Sequence, residues 1–441
     1  MIGELTSTPR TRRSALDNRR FRTVLLAIAG IPIVATYLWQ ALIQPIFLGG
    51  YLGDFQESYM RAATRIANGQ DPYDLCATIG CLEPTGPQYV MPPVLAWLLQ
   101  PLVGVDAHLI TVGAVVVLNA SLGLFVWLTL KALKVDDWQL AVLLVLIALA
   151  FEPVVGNVDE GQVNLVLLAL SGVWLLAWVD DRWWGGAALG AAIAIKLIQG
   201  PVALLVFWAR RWRMFAAAAA AGLVLWLVGA PQYLLEYLFK VLPAVSAGTG
   251  FFENHSPGGT VTRLFDPNTF VAVRGSPTPA RIITTAIGLA VLVATLAALR
   301  SSRSRSLEAA AIVAATPLIA SYSWGTHLVL LLLPMFVLLS WSIGRQDWLV
   351  LGLVAVTWIL VGPVHKLLQV LLVSGYPDLV VLRALAESGV VGITALWIAT
   401  LIALRRSANR LDPAHEHGAE KQEHDRAGKD DPVPAVAMRA V

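Results

Sequence analysis

The chain has 441 residues, of which 57% are hydrophobic and only 14% are charged, and its formal net charge is +3. Soluble domains carry roughly 25% charged residues, so this composition excludes an ordinary soluble protein and predicts an all-α polytopic membrane protein. The Lys and Arg residues stand in clusters between apolar runs rather than on one face. This pattern indicates no nucleic-acid partner.

A basic N-terminal segment, residues 1–23, precedes the first apolar run at about 24–43. This run is longer than the apolar core of a signal peptide and lacks a small-residue cleavage site. We therefore expect a retained first span with a cytoplasmic N-terminus. Eleven more apolar runs bring the predicted number of transmembrane helices to about twelve; they lie at 108–130, 138–155, 161–179, 184–197, 199–209, 213–230, 281–299, 307–322, 326–343, 346–363 and 384–404.

The basic clusters set the orientation, because Lys and Arg beside membrane spans favour the cytoplasmic side. With twelve spans, every tight cluster falls inside, including those at 131–134, 210–213 and 300–305. The short runs 184–197 and 199–209 are the weakest pair, since Gly200-Pro201 separates them and a single longer span there would change the count. The extracytoplasmic side then holds the large loops 45–106 and 231–280 and short turns at 156–160, 198–200, 323–326 and 364–382.

Two further segments complete the predicted organisation. Residues 92–103 are apolar but short and rich in proline, so we expect an interfacial or partly inserted helix rather than a span. The membrane domain covers 24–404. Residues 405–441 are polar, mixed in charge and without periodicity, which predicts a disordered cytoplasmic tail.

The first outside loop begins with an acidic residue, Asp54, directly after the first span. An amphipathic pattern over 55–67, which ends at Asn68-Gly69, predicts a helix lying on the membrane surface. Farther along, Cys76 and Cys81 form a disulfide if this loop faces an oxidising compartment; the alternative is two unpaired thiols. Without a nearby His they supply too few ligands for a metal.

Polar residues also stand at the ends of other apolar runs, where a membrane protein ordinarily places apolar side chains. All of them lie on the outer side in the twelve-span arrangement. One aspartate together with a lysine, an arginine and histidines at one leaflet predicts a site for an anionic ligand with a base opposite it. The polar residues at or near the ends of the apolar runs, which would join Asp54 in this site, are Gln162, Asn164, Lys196, Asn254, His255, Ser256, Arg263, Trp324 and His327.

A series of short motifs, in this order, resembles a known family. They are Gly53-Asp54-Phe55, Tyr59-Met-Arg-Ala-Ala63, Gly69-Gln-Asp-Pro-Tyr73-Asp74, Pro92-Pro93, Gly161-Gln-Val-Asn164, Ala194-Ile-Lys196, Asn254-His-Ser256, and Ser323-Trp324 with His327. The chain is similar over about 24–404 to the polyprenol-phosphate-mannose-dependent mannosyltransferases of actinobacteria, which have the GT-C architecture of membrane glycosyltransferases.

The resemblance implies roles for these residues. Asp54 matches the family's catalytic base, and Lys196 matches a lysine expected near the donor phosphate. We further predict that His327 lines the phosphate pocket, with Arg263 as another candidate. The chain departs from the family at Thr326, where a histidine is common, and at His255, where glutamine is common. The remaining expected substrate-binding residues are Glu57, Tyr59, Tyr73, Asp74, Gln162, Asn164, Asn254, His255, Ser256 and Trp324.

The implied reaction transfers mannose, with inversion, from polyprenyl-phosphate-mannose to a glycolipid or glycan acceptor at the outer face of the plasma membrane. We expect no metal and no cofactor, because the donor lacks a diphosphate and the outer loops contain no Asp-x-Asp. Two alternatives remain open. A decaprenyl-phosphate-arabinose-dependent arabinofuranosyltransferase would have similar loops, and a transporter or lipid flippase would place its polar residues at mid-bilayer.

Overall fold

A computed structural model describes residues 19–73, 88–271 and 273–409. The regular elements in these ranges are helices, which confirms the all-α prediction for this part of the chain, and the one β-bridge recorded there joins Thr249 and Gly275. The helices of eight residues or more are Arg19–Leu38, Ala107–Ala132, Trp138–Leu149, Glu152–Asp159, Asn164–Val179, Gly185–Ile195, Gly200–Trp208, Trp212–Val228, Pro257–Phe265, Thr278–Leu299, Arg305–Ile319, Leu332–Ile343, Trp348–Val361, Pro363–Val373, Leu379–Ala386 and Ser388–Asn409.

Within these ranges, six helices are long and apolar enough to cross a membrane, which supports a polytopic membrane protein. Two bent helix pairs, with angles of 51° and 98°, raise the number to eight if each pair is one span. Three other apolar helices have only 10–17 residues, fewer than the ~20 that a span needs, so the twelve-span count stays a prediction. The six helices that are long and apolar enough to cross a membrane are Arg19–Phe47, Ala107–Ala132, Thr278–Leu299, Gly325–Ile343, Trp348–Val373 and Leu379–Asn409.

One sequence prediction is wrong at 364–382, where a short outside turn was expected. Pro363–Val373 is an eleven-residue helix there. The preceding helix ends at Val361, and Pro363 occupies the start of the new one, where a missing N–H has no cost. The difference is important because this helix carries three polar residues of the site described below.

The helix after Asp54 forms as predicted, as a π-helical stretch Phe55–Met60 followed by Arg61–Ala67. Its apolar face, however, does not lie on a membrane surface. Its five apolar residues are all buried inside the protein, because tertiary packing offers them a larger apolar contact than an interface does. They are Phe55, Tyr59, Ala62, Ala63 and Ile66.

The core lies around Gly325–Ile343, whose most apolar window is 78% buried, whereas that of Arg19–Phe47 is 17% buried. Small residues allow close helix packing beside this core. A Cβ at Gly186 would lie 2.0 Å from the carbonyl oxygen of Met214, and one at Gly190 would lie 2.1 Å from that of Ala218. The Gly185–Ile195 helix therefore packs backbone to backbone against Trp212–Val228, and its last residue leads directly to Lys196.

Candidate functional site

A cavity of about 1070 Å³ opens where segments from distant parts of the chain meet. Its size matches that of ligand-binding clefts. Its wall carries five carboxylates, two lysines and two histidines beside aromatic side chains. The charged residues and histidines are Asp54, Glu152, Asp159, Glu160, Glu253, Lys196, Lys366, His327 and His365, and the aromatic residues are Tyr59, Tyr237, Phe251, Tyr322 and Trp324.

Asp54 lies in this wall and is held by an amide from the turn at 160–163, between two helices. The side chain of Gln162 donates a hydrogen bond to Oδ2 of Asp54. The hydroxyl of Tyr59 donates to Oε1 of the same Gln162 at 2.6 Å, which orients the amide with its N–H towards the carboxylate. Among the described residues, no partner bonds Oδ1 of Asp54, so one carboxylate oxygen is available to a ligand.

Gly161 allows the two segments to approach this closely. Its φ is +67°, a conformation that glycine adopts without strain. A Cβ there would also lie 2.5 Å from Cβ of Phe55 and 3.0 Å from that of Leu52. The backbone N–H of Phe55 bonds to the carbonyl of Glu160 at 3.1 Å, which fixes the contact beside Asp54.

Lys196 reaches the same amide group from a third segment. Its Nζ donates to Oδ1 of Asn164 at 3.0 Å and to Oε1 of Gln162 at 3.4 Å. Its side chain is buried, and within the described ranges these two oxygens are neutral and no carboxylate forms an ion pair with it. A buried ammonium bonded only to amides favours an anionic ligand, because such a ligand would neutralise its charge.

Asn164 and Asn157 connect this group to the segment at 320–327. Asn164 donates to Oδ1 of Asn157 at 3.0 Å. Asn157 in turn donates to the carbonyl of Thr326 at 2.7 Å. The amides thus link the wall near Asp54 to the segment that carries His327, although Asn164 itself does not line the cavity.

His327 is buried in the cavity wall. Its Nδ1 accepts a hydrogen bond from the backbone N–H of Trp324 at 3.3 Å. A neutral ring with Nδ1 as the acceptor carries its proton on Nε2 and can donate it to an oxygen of a ligand. Trp324 also lines the cavity, where its ring packs edge-on against Phe251.

The electrostatics of the wall favour a basic carboxylate at position 54. Burial raises the pKa of Asp54 above its usual value, while the hydrogen bond from Gln162 and the positive charge of Lys196 act in the opposite direction. Burial, followed by the negative charge of Asp54, also raises the pKa of Glu160. A carboxylate with a raised pKa accepts a proton more readily at neutral pH.

We expected Asn254 and Ser256 to bind substrate. In the structure, hydrogen bonds of their side chains connect the loop around 249–256 to the segment 321–323. Asn254 donates to the carbonyl of Thr249 at 2.7 Å and accepts from the backbone N–H of Ser323 at 2.9 Å. Ser256 donates to the carbonyl of Ser321 at 3.1 Å. Neither side chain lines the cavity. His255 does not line it either, but lies next to the wall residues Glu253 and His365.

Arg263, which we predicted as a phosphate ligand, is not among the residues that line the cavity. Its Nε forms an ion pair with Glu387 at 2.7 Å. The same guanidinium donates to the backbone carbonyls of Phe251 and Asn254, each at 3.2 Å. This buried arginine holds the 250–254 loop in place from behind.

The other predicted residues lie farther from the wall. Glu57 accepts a hydrogen bond from Tyr51 at 2.7 Å in an exposed position. Tyr73 is buried, stacks between Tyr89 and Tyr237, and donates to the carbonyl of Met91 at 2.9 Å. Three remaining predicted residues, Asp74, Cys76 and Cys81, lie outside the described residues.

Several wall residues were not predicted from the sequence. The helix Pro363–Val373 contributes His365, Lys366 and Gln369, whose spacing puts the first and last on one helical face. His365 and Gln369, four positions apart just after Gly362-Pro363, could have indicated a polar helical face. The segment 364–382 was predicted to be a turn, however, so this spacing was not considered. Glu152 and Glu253 had no comparable pattern in the sequence.

Comparison with known proteins shows what this chain is similar to. It is 30% identical over 228 residues, 47% of its length, to a polyprenol-phosphate-mannose-dependent α-(1-2)-phosphatidylinositol pentamannoside mannosyltransferase of Mycolicibacterium smegmatis. The protein with the same name in Mycobacterium tuberculosis is 31% identical over 237 residues. An α-(1->3)-arabinofuranosyltransferase of M. tuberculosis is 24% identical over 252 residues. These matches span about half of each relative: 52%, 52% and 57%.

A family model covers residues 89–321, more than half of the chain, and includes Gln162, Lys196 and Asn254 but neither Asp54 nor His327. The helical membrane architecture is consistent with this match, and the chain belongs to glycosyltransferase family 87.

Proposed function

We propose that this protein transfers mannose from polyprenyl-phosphate-mannose to a hydroxyl group of a glycolipid or glycan, with inversion, at the extracytoplasmic face of the plasma membrane. The observation that carries the proposal is one cavity that contains the carboxylate of Asp54 together with Lys196 and His327. A general base and an anion-binding group are the two things that such a transfer requires.

Asp54 is the proposed base. The acceptor hydroxyl oxygen attacks C1 of mannose from the face opposite the phosphate, the bond from C1 to the phosphate oxygen breaks, and the hydroxyl proton passes to Asp54. The carboxylate has one oxygen held by Gln162 and the other without a hydrogen bond to the described residues, which suits proton acceptance. Its pKa, raised by burial, adds to its basicity.

Lys196 and His327 are the proposed partners of the leaving phosphate. The polyprenyl phosphate gains negative charge as the bond to C1 breaks, so donors positioned nearby lower the barrier. Lys196 supplies a buried ammonium held by Gln162 and Asn164. In this proposal the lipid tail stays in the bilayer, within a GT-C architecture of about twelve spans.

The two mannosyltransferase relatives support mannose as the sugar, whereas the arabinofuranosyltransferase supports the rival donor. The test incubates membranes that contain the protein with either radiolabelled polyprenyl-phosphate-mannose or radiolabelled polyprenyl-phosphate-arabinose. We expect label to reach a glycolipid or glycan fraction only from the mannose donor, and Asp54→Asn membranes to lose this transfer.

Transfer only from the arabinose donor would favour the rival enzyme. Translocation of the intact lipid donor without transfer of its sugar would favour a flippase. Folded protein that transfers neither sugar to endogenous acceptors, while a family relative does so in the same membranes, would overturn the proposal.

A further inference from the structure

A cluster of metal-binding side chains lies at the edge of the cavity. Glu253, His255 and His365 each offer one ligand atom, and these atoms lie within 4.8 Å of one another. Oε2 of Glu253 and Nε2 of His365 are 3.2 Å apart. Two ligand atoms bound tetrahedrally to one zinc ion at about 2.0–2.1 Å would be roughly 3.3 Å apart, so this spacing already suits a shared metal.

His255 lacks the hydrogen bonds that a buried histidine normally has. Its ring and that of His365 are almost completely buried. In the described part of the chain, neither ring nitrogen of His255 has a hydrogen bond of normal geometry. Buried polar atoms ordinarily find a partner, and a metal ion bound to one of these two nitrogens would supply it.

The two rings lie close together, with centroids 4.4 Å apart at an interplanar angle of 89°. At this distance both imidazoles can offer a ring nitrogen to the same ion.

Gln369 provides an outer support for the cluster. Its Nε2 donates to Oε1 of Glu253 at 3.0 Å and lies 3.2 Å from Nε2 of His365. The hydrogen bond to Glu253 is of the outer kind that orients a carboxylate ligand towards a metal. Gly325 adds space, since a Cβ there would lie only 3.1 Å from both Oε2 of Glu253 and Nε2 of His365.

From this geometry we propose that Glu253, His255 and His365 bind one divalent transition-metal ion, with zinc as the best fit. Two imidazoles and one carboxylate suit zinc, whereas magnesium and calcium prefer oxygen ligands. Glu253 and His365 line the cavity, so an ion held by them would lie at its edge. The site departs from the metal-free expectation of the sequence, and its existence does not depend on the proposed sugar transfer.

The test measures zinc binding to the full-length protein in detergent, by metal analysis after dialysis and by competition with a chromophoric chelator. The background is a variant in which His415, His417 and His424 are alanine, because these could bind zinc independently. We expect about one zinc ion per chain, a zinc-dependent rise in melting temperature, and no such rise with magnesium.

Three variants assign the site. His365→Gln and Glu253→Gln should abolish both the bound zinc and the rise in melting temperature. Gln369→Leu should keep the stoichiometry but weaken affinity about 10- to 100-fold, the usual effect of losing an outer partner. His108→Ala, which removes an exposed histidine elsewhere, should change nothing.

The melting temperature of each variant without metal shows whether it folds. Should a variant fail to fold, cobalt(II) added to the unmutated ligand set provides a second measurement, since nitrogen and oxygen ligands in a tetrahedral site give visible absorption bands. Absence of stoichiometric zinc and of these bands, or zinc binding that survives in folded His365→Gln protein, would overturn the proposal and leave the cluster as a hydrogen-bonded histidine–glutamate pair.

Discussion

The side-chain amide of Gln162 donates a hydrogen bond to Oδ2 of Asp54, although the two residues are 108 positions apart. The contact joins the segment after the first span to the turn before Asn164–Val179. Because Lys196 and Tyr59 bond the same glutamine, one amide connects the proposed base to the proposed phosphate ligand. A change at any of these residues should therefore affect the others.

Asp54→Asn should lower turnover by about 10²-fold or more, the usual scale for loss of a general base. The change keeps the shape of the side chain and removes its ability to take a proton, so donor binding should persist. The assay measures kcat and donor KM with purified protein. Glu57→Gln is the matched control, because Glu57 bonds Tyr51 in an exposed position; an inactive Glu57→Gln beside an active Asp54→Asn would move the base to Glu57.

Gln162→Leu should shift the acidic limb of the pH–activity profile to higher pH. The base works only when it is deprotonated, so activity rises as the pH passes through the pKa of Asp54. Burial raises that pKa and the hydrogen bond from Gln162 lowers it, so losing the hydrogen bond should raise the pKa further. Profiles of kcat/KM check this, with Tyr59→Phe expected to shift the limb less. A limb that stays in place or moves down would contradict Asp54 as the titrating group.

Lys196→Ala should raise the donor KM by roughly 10- to 100-fold, because a hydrogen bond to a charged group contributes about 1.5–3 kcal/mol. The acceptor KM should change little. Donor and acceptor titrations with folded protein measure the two effects. Lys240→Ala serves as the control, since Lys240 lies in an exposed pair with Glu236. Unchanged donor titration in the Lys196 variant would remove this residue from the phosphate site.

Arg263→Met should destabilise the protein by about 1–3 kcal/mol, the cost of leaving buried hydrogen-bonding groups without a partner, and should leave the donor KM of the folded fraction near normal. Its guanidinium bonds Glu387 and loop carbonyls rather than lining the cavity. Thermal unfolding of Arg263→Met, Glu387→Gln and the double variant should show strong coupling. Normal stability with a raised donor KM would restore the phosphate role.

Single-cysteine labelling tests the orientation after Cys76 and Cys81 are replaced by serine. Gly156→Cys and Ser246→Cys should react with an impermeant reagent in intact cells, whereas Ser301→Cys should react only after permeabilisation. Gly156 has room for a side chain, since the nearest atom to a Cβ there is 3.7 Å away. Gly250, another glycine of the outer loops, does not, because a Cβ there would lie 2.0 Å from Oγ1 of Thr269. The reverse labelling pattern would place the cavity on the cytoplasmic side.

Helix formation and the approximate positions of the functional residues could be predicted from the sequence, because apolar runs and polar interruptions are local features. The helix over 55–67 is an example, as is the location of Asp54 directly after the first span. The environment of that helix could not be predicted, since an apolar face looks the same whether it meets lipid or protein. The structure buries it in the protein.

The sequence by itself determined the all-helical membrane class and a set of polar candidates that includes Asp54, Gln162, Lys196 and His327. Only the tertiary structure decided which of them share a cavity, that Arg263 supports a loop instead, and that Glu253, His255 and His365 come together. The physical reason is that hydrogen bonds and metal ligands act over about 2–3 Å, and a single sequence contains no record of which residues, a hundred or more positions apart, folding brings to that distance.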